Sequence, residues 1–183
     1  RPLLTHCPRS VLLRHSDIIM KIALELFLYG KEELFDQYYE LIKESCRFAF
    51  RHDPARYRRF RKELAMLEFF MAFNHIGEMC SAHQRAHVFL SSSVSCLISI
   101  RDTWTFGIPS VLCMFWRESG MLREECSQLA DEMPVYLSLT GGHGSGADAS
   151  MSAEIFLNCG DTKNAETAGQ TALYLAGRKN QNS

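Results

Sequence analysis

Leu26-Phe27-Leu28-Tyr29-Gly30 and, near the other end of the chain, Phe156-Leu157-Asn158-Cys159-Gly160 each set a large apolar residue four positions before a glycine. Phe73-Asn74-His75-Ile76-Gly77 and Trp116-Arg117-Glu118-Ser119-Gly120 repeat the pattern between them. Glycine accepts the left-handed backbone that ends a helix, so each string predicts a helix closing into a turn. The four glycines recur every 40 to 47 residues. A helical period of that size predicts an α-solenoid, whose hairpins bury one another's apolar faces.

Working outward from the glycines, Pro8 to Arg14 reads as a short helix, and Ser16 as the cap of a helix from about Asp17 to Tyr29. Lys31 to Phe50 follows, with Leu34, Phe35, Tyr38, Leu41, Ile42 and Cys46 on one stripe. Asp53-Pro54 is an N-cap followed by proline at the first helical position. That helix is expected to run to Ile76, with Glu78 to about Leu90 as its partner. Ser91 to Gly107 reads as a long connection between repeats, a place where function is often found. Pro109 opens a helix to Ser119, and Met121 to about Thr140 returns, kinked or ended by Pro134. After Gly141-Gly142-His143-Gly144-Ser145-Gly146, Asp148 to Cys159 and Asp161 to Ala176 form the last hairpin, with Ala165, Ala168, Ala172 and Ala176 on a narrow face. The expected fold is all-α, a single domain of four hairpins at about 17–50, 54–90, 109–140 and 147–177.

Composition narrows the function classes. Twenty basic and twenty-one acidic residues in 183 leave no global field to draw nucleic acid or a membrane surface. The longest apolar stretches, such as Ile18 to Tyr29, contain Lys21 and Glu25 and fall short of a bilayer span. Seven cysteines, an odd number without a Cys-x-x-Cys pair, fit free thiols in a cytoplasmic protein better than a disulfide scaffold. Arg1-Pro2 opens without an initiator Met, as in a piece of a longer chain.

The last hairpin resembles a tetratricopeptide repeat. Phe156, Cys159 and Gly160 stand at that repeat's first-helix positions, and Ala172 and Ala176 at the small positions of its second helix. The other hairpins run longer than the usual 34-residue unit. Trp104-Thr-Phe-Gly-Ile-Pro-Ser-Val, Phe115-Trp-Arg-Glu-Ser-Gly120 and Gly142-His-Gly-Ser-Gly-Ala-Asp148 are similar to segments in the helical-repeat region of MalT-like, LuxR-type transcriptional regulators. The resemblance implies a sensor region that lies between a nucleotide-binding switch and a DNA-reading domain, and that binds an inducer. Neither a phosphate loop nor a helix-turn-helix is present here, so DNA would be reached only through a separate domain.

Two groups of residues suit a ligand. Trp104, Phe106, Trp116, Arg117 and Glu118 combine aromatic faces with charged edges, as a sugar or planar metabolite needs. Trp116 also suits a core position. The glycine run with His143 and Ser145 either cradles an anion at a helix start or simply connects two helices. His83 and His87 share metal-ligand spacing, but no third ligand accompanies them and both read as surface residues. Arg51, Arg56, Arg58, Arg59, Arg61 and Lys62 could contact phosphate, or form a solvated face balanced by Glu44 and Glu63. No paired carboxylates, Cys–His arrangement or metal set stands at motif spacing. The expectation is a non-catalytic regulatory module without cofactor, binding a small-molecule inducer (a sugar is one candidate) or a partner domain in its concave groove. The alternative is a scaffold for a peptide or helix.

Overall fold

At Gly30 and Gly160 the chain turns as the strings predict. Lys31 N–H reaches back to the Leu26 carbonyl (2.8 Å) and Asp161 N–H to that of Phe156 (2.9 Å). The glycine amides close the inner bonds, to Phe27 and Leu157, both at 3.0 Å. Both glycines have left-handed φ, 63° and 77°. The two bonds satisfy carbonyls that a helix end would otherwise leave without partners.

The computed structural model describes residues 7–73, 75–89, 94–102, 110, 112 and 118–178. Eight helices and no strand occur among them: α1 (Arg9–Arg14), α2 (Ser16–Leu28), α3 (Glu32–His52), α4 (Pro54–Met71), α5 (Ile76–Val88), α6 (Leu122–Thr140), α7 (Ala147–Asn158) and α8 (Thr162–Arg178). The fold is all-α, and no helix among the described residues is long and apolar enough to cross a membrane. From α2 onward each helix packs mainly on its neighbours in the chain, while α1 packs most on α3. A single hydrophobic cluster runs from Leu12 on α1 to Ile155 on α7. The α3 stripe is a sample of it: Phe35, Tyr38, Leu41, Ile42, Cys46 and Ala49 are all buried at helical spacing.

Several boundaries differ from the sequence expectation. Gly77 does not end a helix. The α4 helix closes earlier, at Ala72, and the turn bond from His75 N–H to the Ala72 carbonyl (2.8 Å) leads into α5. Gly77 lies in the first turn of α5, so the even glycine spacing is not a repeat of one turn. Instead Gly141, at φ 70°, ends α6 with the Gly142 N–H on the Leu137 carbonyl (2.9 Å). Ser16 is not a cap either. It is buried as the first residue of α2, and the capping position belongs to His15. Asp53 does cap α4, its carboxylate accepting from Arg56 N–H at 3.0 Å, with Pro54 next. Pro134 does not stop α6, which continues to Thr140.

The described part of the connection, residues 94–102, is drawn into the core rather than looped over the surface. Leu97 and Ile98 are buried, and Ser95 N–H bonds the Leu139 carbonyl at the end of α6 (2.7 Å). Lys62 Nζ donates to the Val94 carbonyl (3.2 Å). Glu63 accepts from the Ser95 hydroxyl (2.5 Å) and the Cys96 amide (3.2 Å). Two consecutive charged residues of α4 thus tie down irregular backbone that would otherwise be costly to bury. The expected helix opened by Pro109 and running to Ser119 lies largely outside the described residues. Its start is marked by Glu154 on α7, which accepts from the Ser110 hydroxyl and from Leu112 N–H (3.3 Å).

Candidate functional site

Of the seven ligand candidates, Trp104, Phe106, Trp116 and Arg117 lie outside the described residues. Glu118 is exposed in the turn before Gly120. His143 and Ser145 lie in the same turn, but His143 is bonded to Tyr136 and Asp102 and Ser145 to the turn itself, so they do not form an open anion site. Ser145 Oγ donates to the Gly142 carbonyl (2.7 Å) inside the turn. Gly146 has φ 94°, and a Cβ there would stand 2.7 Å from the Ala172 carbonyl oxygen on α8. The glycines are required for tight turning and for this close helix approach.

His143 is buried and bonded at both ring nitrogens. Its Nε2 lies 3.0 Å from the Asp102 carbonyl, which can only accept, so Nε2 carries the proton. Nδ1 is then the acceptor for the Tyr136 hydroxyl at 2.6 Å. Burial holds the imidazole below its ordinary pKa, against the opposing pull of the Asp102 carbonyl and carboxylate, and burial raises the Tyr136 phenol. The chain Tyr136–His143–Asp102 ends on a backbone carbonyl, which takes no proton. It fastens α6 and the glycine turn to the 94–102 segment.

Next to it, between α5 and α6, lies a second polar inclusion that the sequence reading placed on the surface. His83 is 4% exposed, not solvated. It stacks on Phe69 (ring centroids 4.0 Å apart, 21° between planes) and lies 5.0 Å from the Tyr136 ring. Its Nδ1 stands 3.7 Å from Glu132 Oε1, beyond hydrogen-bond reach, and neither ring nitrogen has a hydrogen-bond partner among the described residues. Glu132 Oε2 accepts from Gln84 Nε2 at 3.4 Å, while Oε1 has no partner. Burial brings His83 down to about 3 and raises Glu132, the latter countered by Gln84 and His87. Cys80, beside them, is pushed up to about 11 by burial and by Glu132. A thiol held that high is protonated at neutral pH and a poor nucleophile. The cavity they share with Met79 and Tyr136 measures about 20 Å³, room for one water and for no metabolite.

The signal for His83 was present in the sequence. Ile76, Met79, Ala82, His83 and Ala86 are the buried stripe of α5. Glu132 sits in the α6 stripe with Leu129, Met133 and Tyr136. Polar residues in register with an apolar stripe are candidates for burial whatever their type.

A larger, open cleft of about 420 Å³ lies where α4 ends and α5 begins, lined by Glu68, Met71, Glu78, Ser81 and Arg85. Arg85 pairs with Glu68 at 2.9 Å, and Ser81 Oγ donates to the Gly77 carbonyl at 2.8 Å. Its size lies within the range of small-molecule sites. No group of His, Cys, Asp and Glu among the described residues could hold a metal ion.

The basic cluster divides. Lys62 is fully buried on Glu63 (3.3 Å), so neither belongs to the solvated face expected of them. Arg56 donates to the Leu13 and Arg14 carbonyls, and Arg61 lies over the Phe89 ring. Arg51, Arg58 and Arg59 remain exposed. The last hairpin is the opposite case from the core. The α8 helix has no buried residue, and Leu157, Leu173 and Tyr174 are 63%, 70% and 64% exposed. No protein-family model, curated protein or solved structure matches the chain.

Proposed function

We propose that the chain is a non-catalytic, cytoplasmic regulatory module of stacked helical hairpins that docks a partner protein domain on its last hairpin. The observation that carries this reading is the α8 face. Among the described residues, nothing buries α8, which presents Leu173 and Tyr174 to solvent. Isolated apolar residues on a surface are ordinary, but three on adjoining helices of a hairpin suit a docking face. Chain-order packing from α2 onward is what a solenoid requires, and the resemblance to MalT-like, LuxR-type regulators supplies the regulatory setting.

The test is a photoreactive residue at position 173 or 174, expressed in cells, with one at exposed Glu33 as control. A single crosslinked protein from the α8 positions is expected. Its purified form should bind the chain, and Leu173→Glu should weaken binding at least tenfold. A partner whose binding ignores that change overturns the reading.

A second reading, an inducer sensor, is favoured by the cleft at Glu68 and Arg85. It expects a sugar, nucleotide or other small metabolite to raise the unfolding midpoint. The stabilisation is about 2.7 kcal/mol at a hundredfold excess over Kd. Arg85→Ala should remove it. Bound ligand would act by favouring one curvature of the stack over another.

A further inference from the structure

The end of α3 and the start of α4 carry exposed arginines interleaved with exposed aromatic rings. With 3.6 residues per turn, the solvent arc of α3 runs in the order Phe50, Arg47, Arg51, Phe48, His52, opposite buried Ile42, Cys46 and Ala49. Phe48 and Phe50 are 52% and 66% exposed. Their positions are held by ring contacts: Phe48 lies on His52 (centroids 4.6 Å) and Phe50 meets the edge of Tyr57 on α4 (5.0 Å). The residues after Tyr57 are Arg58 and Arg59, both exposed.

None of these four arginines forms an ion pair with a carboxylate among the described residues. Of the nearby acids, Glu44 pairs with Arg9 and also feels Arg47, and Asp53 accepts from the Arg56 amide. Four exposed arginines within thirteen residues outnumber the nearby carboxylates of Glu44 and Asp53, and so make a local field in a chain whose net charge is −1. We infer that this elbow binds a single-stranded nucleic acid, its phosphates on Arg47, Arg51, Arg58 and Arg59 and its bases against Phe48 and Phe50.

Phosphates alone would need only the arginines. Exposed rings add a stacking surface that an unpaired base can reach and a base inside a duplex cannot. An anionic membrane would also attract the charge, but it favours apolar residues gathered on one face with the cations opposite. Here the basic residues and the rings lie together on one arc, with Phe50 and Phe48 flanking Arg47 and Arg51.

The experiment is fluorescence anisotropy of a labelled oligo-dT strand of about 15 nucleotides with the whole chain, against salt. The matching duplex and phosphatidylserine vesicles are measured in parallel. The strand is expected to bind at low salt at least fivefold more tightly than the duplex. Arg51→Gln and Arg59→Gln should each make the log–log salt slope about 0.7 shallower. Phe48→Ala should weaken binding about fivefold or more with the slope kept, and exposed Arg123→Gln on α6 should change nothing. Circular dichroism confirms that each variant keeps its helices. No strand binding at low salt overturns the inference, as does vesicle binding without strand binding. Equal affinity for strand and duplex with Phe48→Ala silent also overturns it, since the patch would then act by charge alone.

Discussion

Lys62 with Glu63, and His83 with Glu132, are two polar pairs buried in the same helical core, and they differ in how completely they are satisfied. Glu63 takes hydrogen bonds from Ser95 and Cys96 as well as the charge of Lys62, whose ammonium also reaches the Val94 carbonyl. Among the described residues, His83 has no hydrogen-bond partner at either nitrogen, and one oxygen of Glu132 has none. A satisfied buried pair organises the backbone around it. An unsatisfied one carries its desolvation cost with little return. The first pair holds residues 94–102 in place. The second leaves α5 and α6 joined mainly by apolar contact and ring stacking.

The largest expected effect breaks the satisfied pair. Glu63→Ala strands the Lys62 charge away from its carboxylate and strips acceptors from two donors of the 94–102 segment. A loss of about 3–5 kcal/mol in urea unfolding is expected. A loss under about 1 kcal/mol would mean that the segment is not held this way.

Tyr136→Phe comes next. It removes the donor to His143 Nδ1 within an apolar site, for an expected loss of about 1–3 kcal/mol. Nε2 keeps its proton on the Asp102 carbonyl, while the Nδ1 resonance should shift as its donor is lost. A nitrogen NMR spectrum of His143 unchanged by the substitution contradicts the bonding described.

Acidity sharpens the comparison within the second pair. The folded-state value of His83 lies at about 3, below its ordinary 6.5. Between those values the unfolded chain binds a proton that the folded chain refuses, so stability is lost as pH falls through that window. Glu132 has the opposite sign. Its value is raised above 4.5, so its contribution is complete below 4.5 and is lost as pH rises through the raised value. Where the windows overlap, just above pH 4.5, the two effects oppose and the native chain should respond weakly. His83→Phe should leave a fall with rising pH, and Glu132→Gln a fall with falling pH. Each slope is at most about 1.4 kcal/mol per pH unit. Three parallel profiles from urea unfolding between pH 4 and 7 would sink this account.

The smallest loss is expected from replacing the unsatisfied pair outright. His83→Phe with Glu132→Leu should cost nothing, or stabilise by about 1 kcal/mol, since no good hydrogen bond is given up. A loss above about 2 kcal/mol in thermal unfolding would show that the pair is better satisfied than its 3.7 Å separation indicates.

Much of the fold was legible because it is local. The Asp53-Pro54 start, the Gly30 and Gly160 closures and the α3 stripe each depend on residues within a turn or two of one another. Gly77 misled for a related reason. A glycine near a helix end marks a turn only if the chain adopts left-handed φ there, and the α4 helix had already closed at Ala72. The candidate site was less legible. His143 was singled out as a ligand donor, but its bonding partners, Tyr136 and the Asp102 carbonyl, come from another helix and from the connection. His83 and Lys62 were read by residue type, as surface groups, although each lies in register with a buried stripe.

The sequence by itself determined the helical class, the hairpin turns at Gly30 and Gly160, and the capped start of α4, because caps, turns and apolar spacing act within a few residues. Only the tertiary structure decided which charges are buried, which histidine is satisfied, and that the 94–102 segment belongs to the core. Those outcomes depend on what lies across from a side chain, and a partner 32 residues away, as Ser95 is from Glu63, has no local sign in the chain.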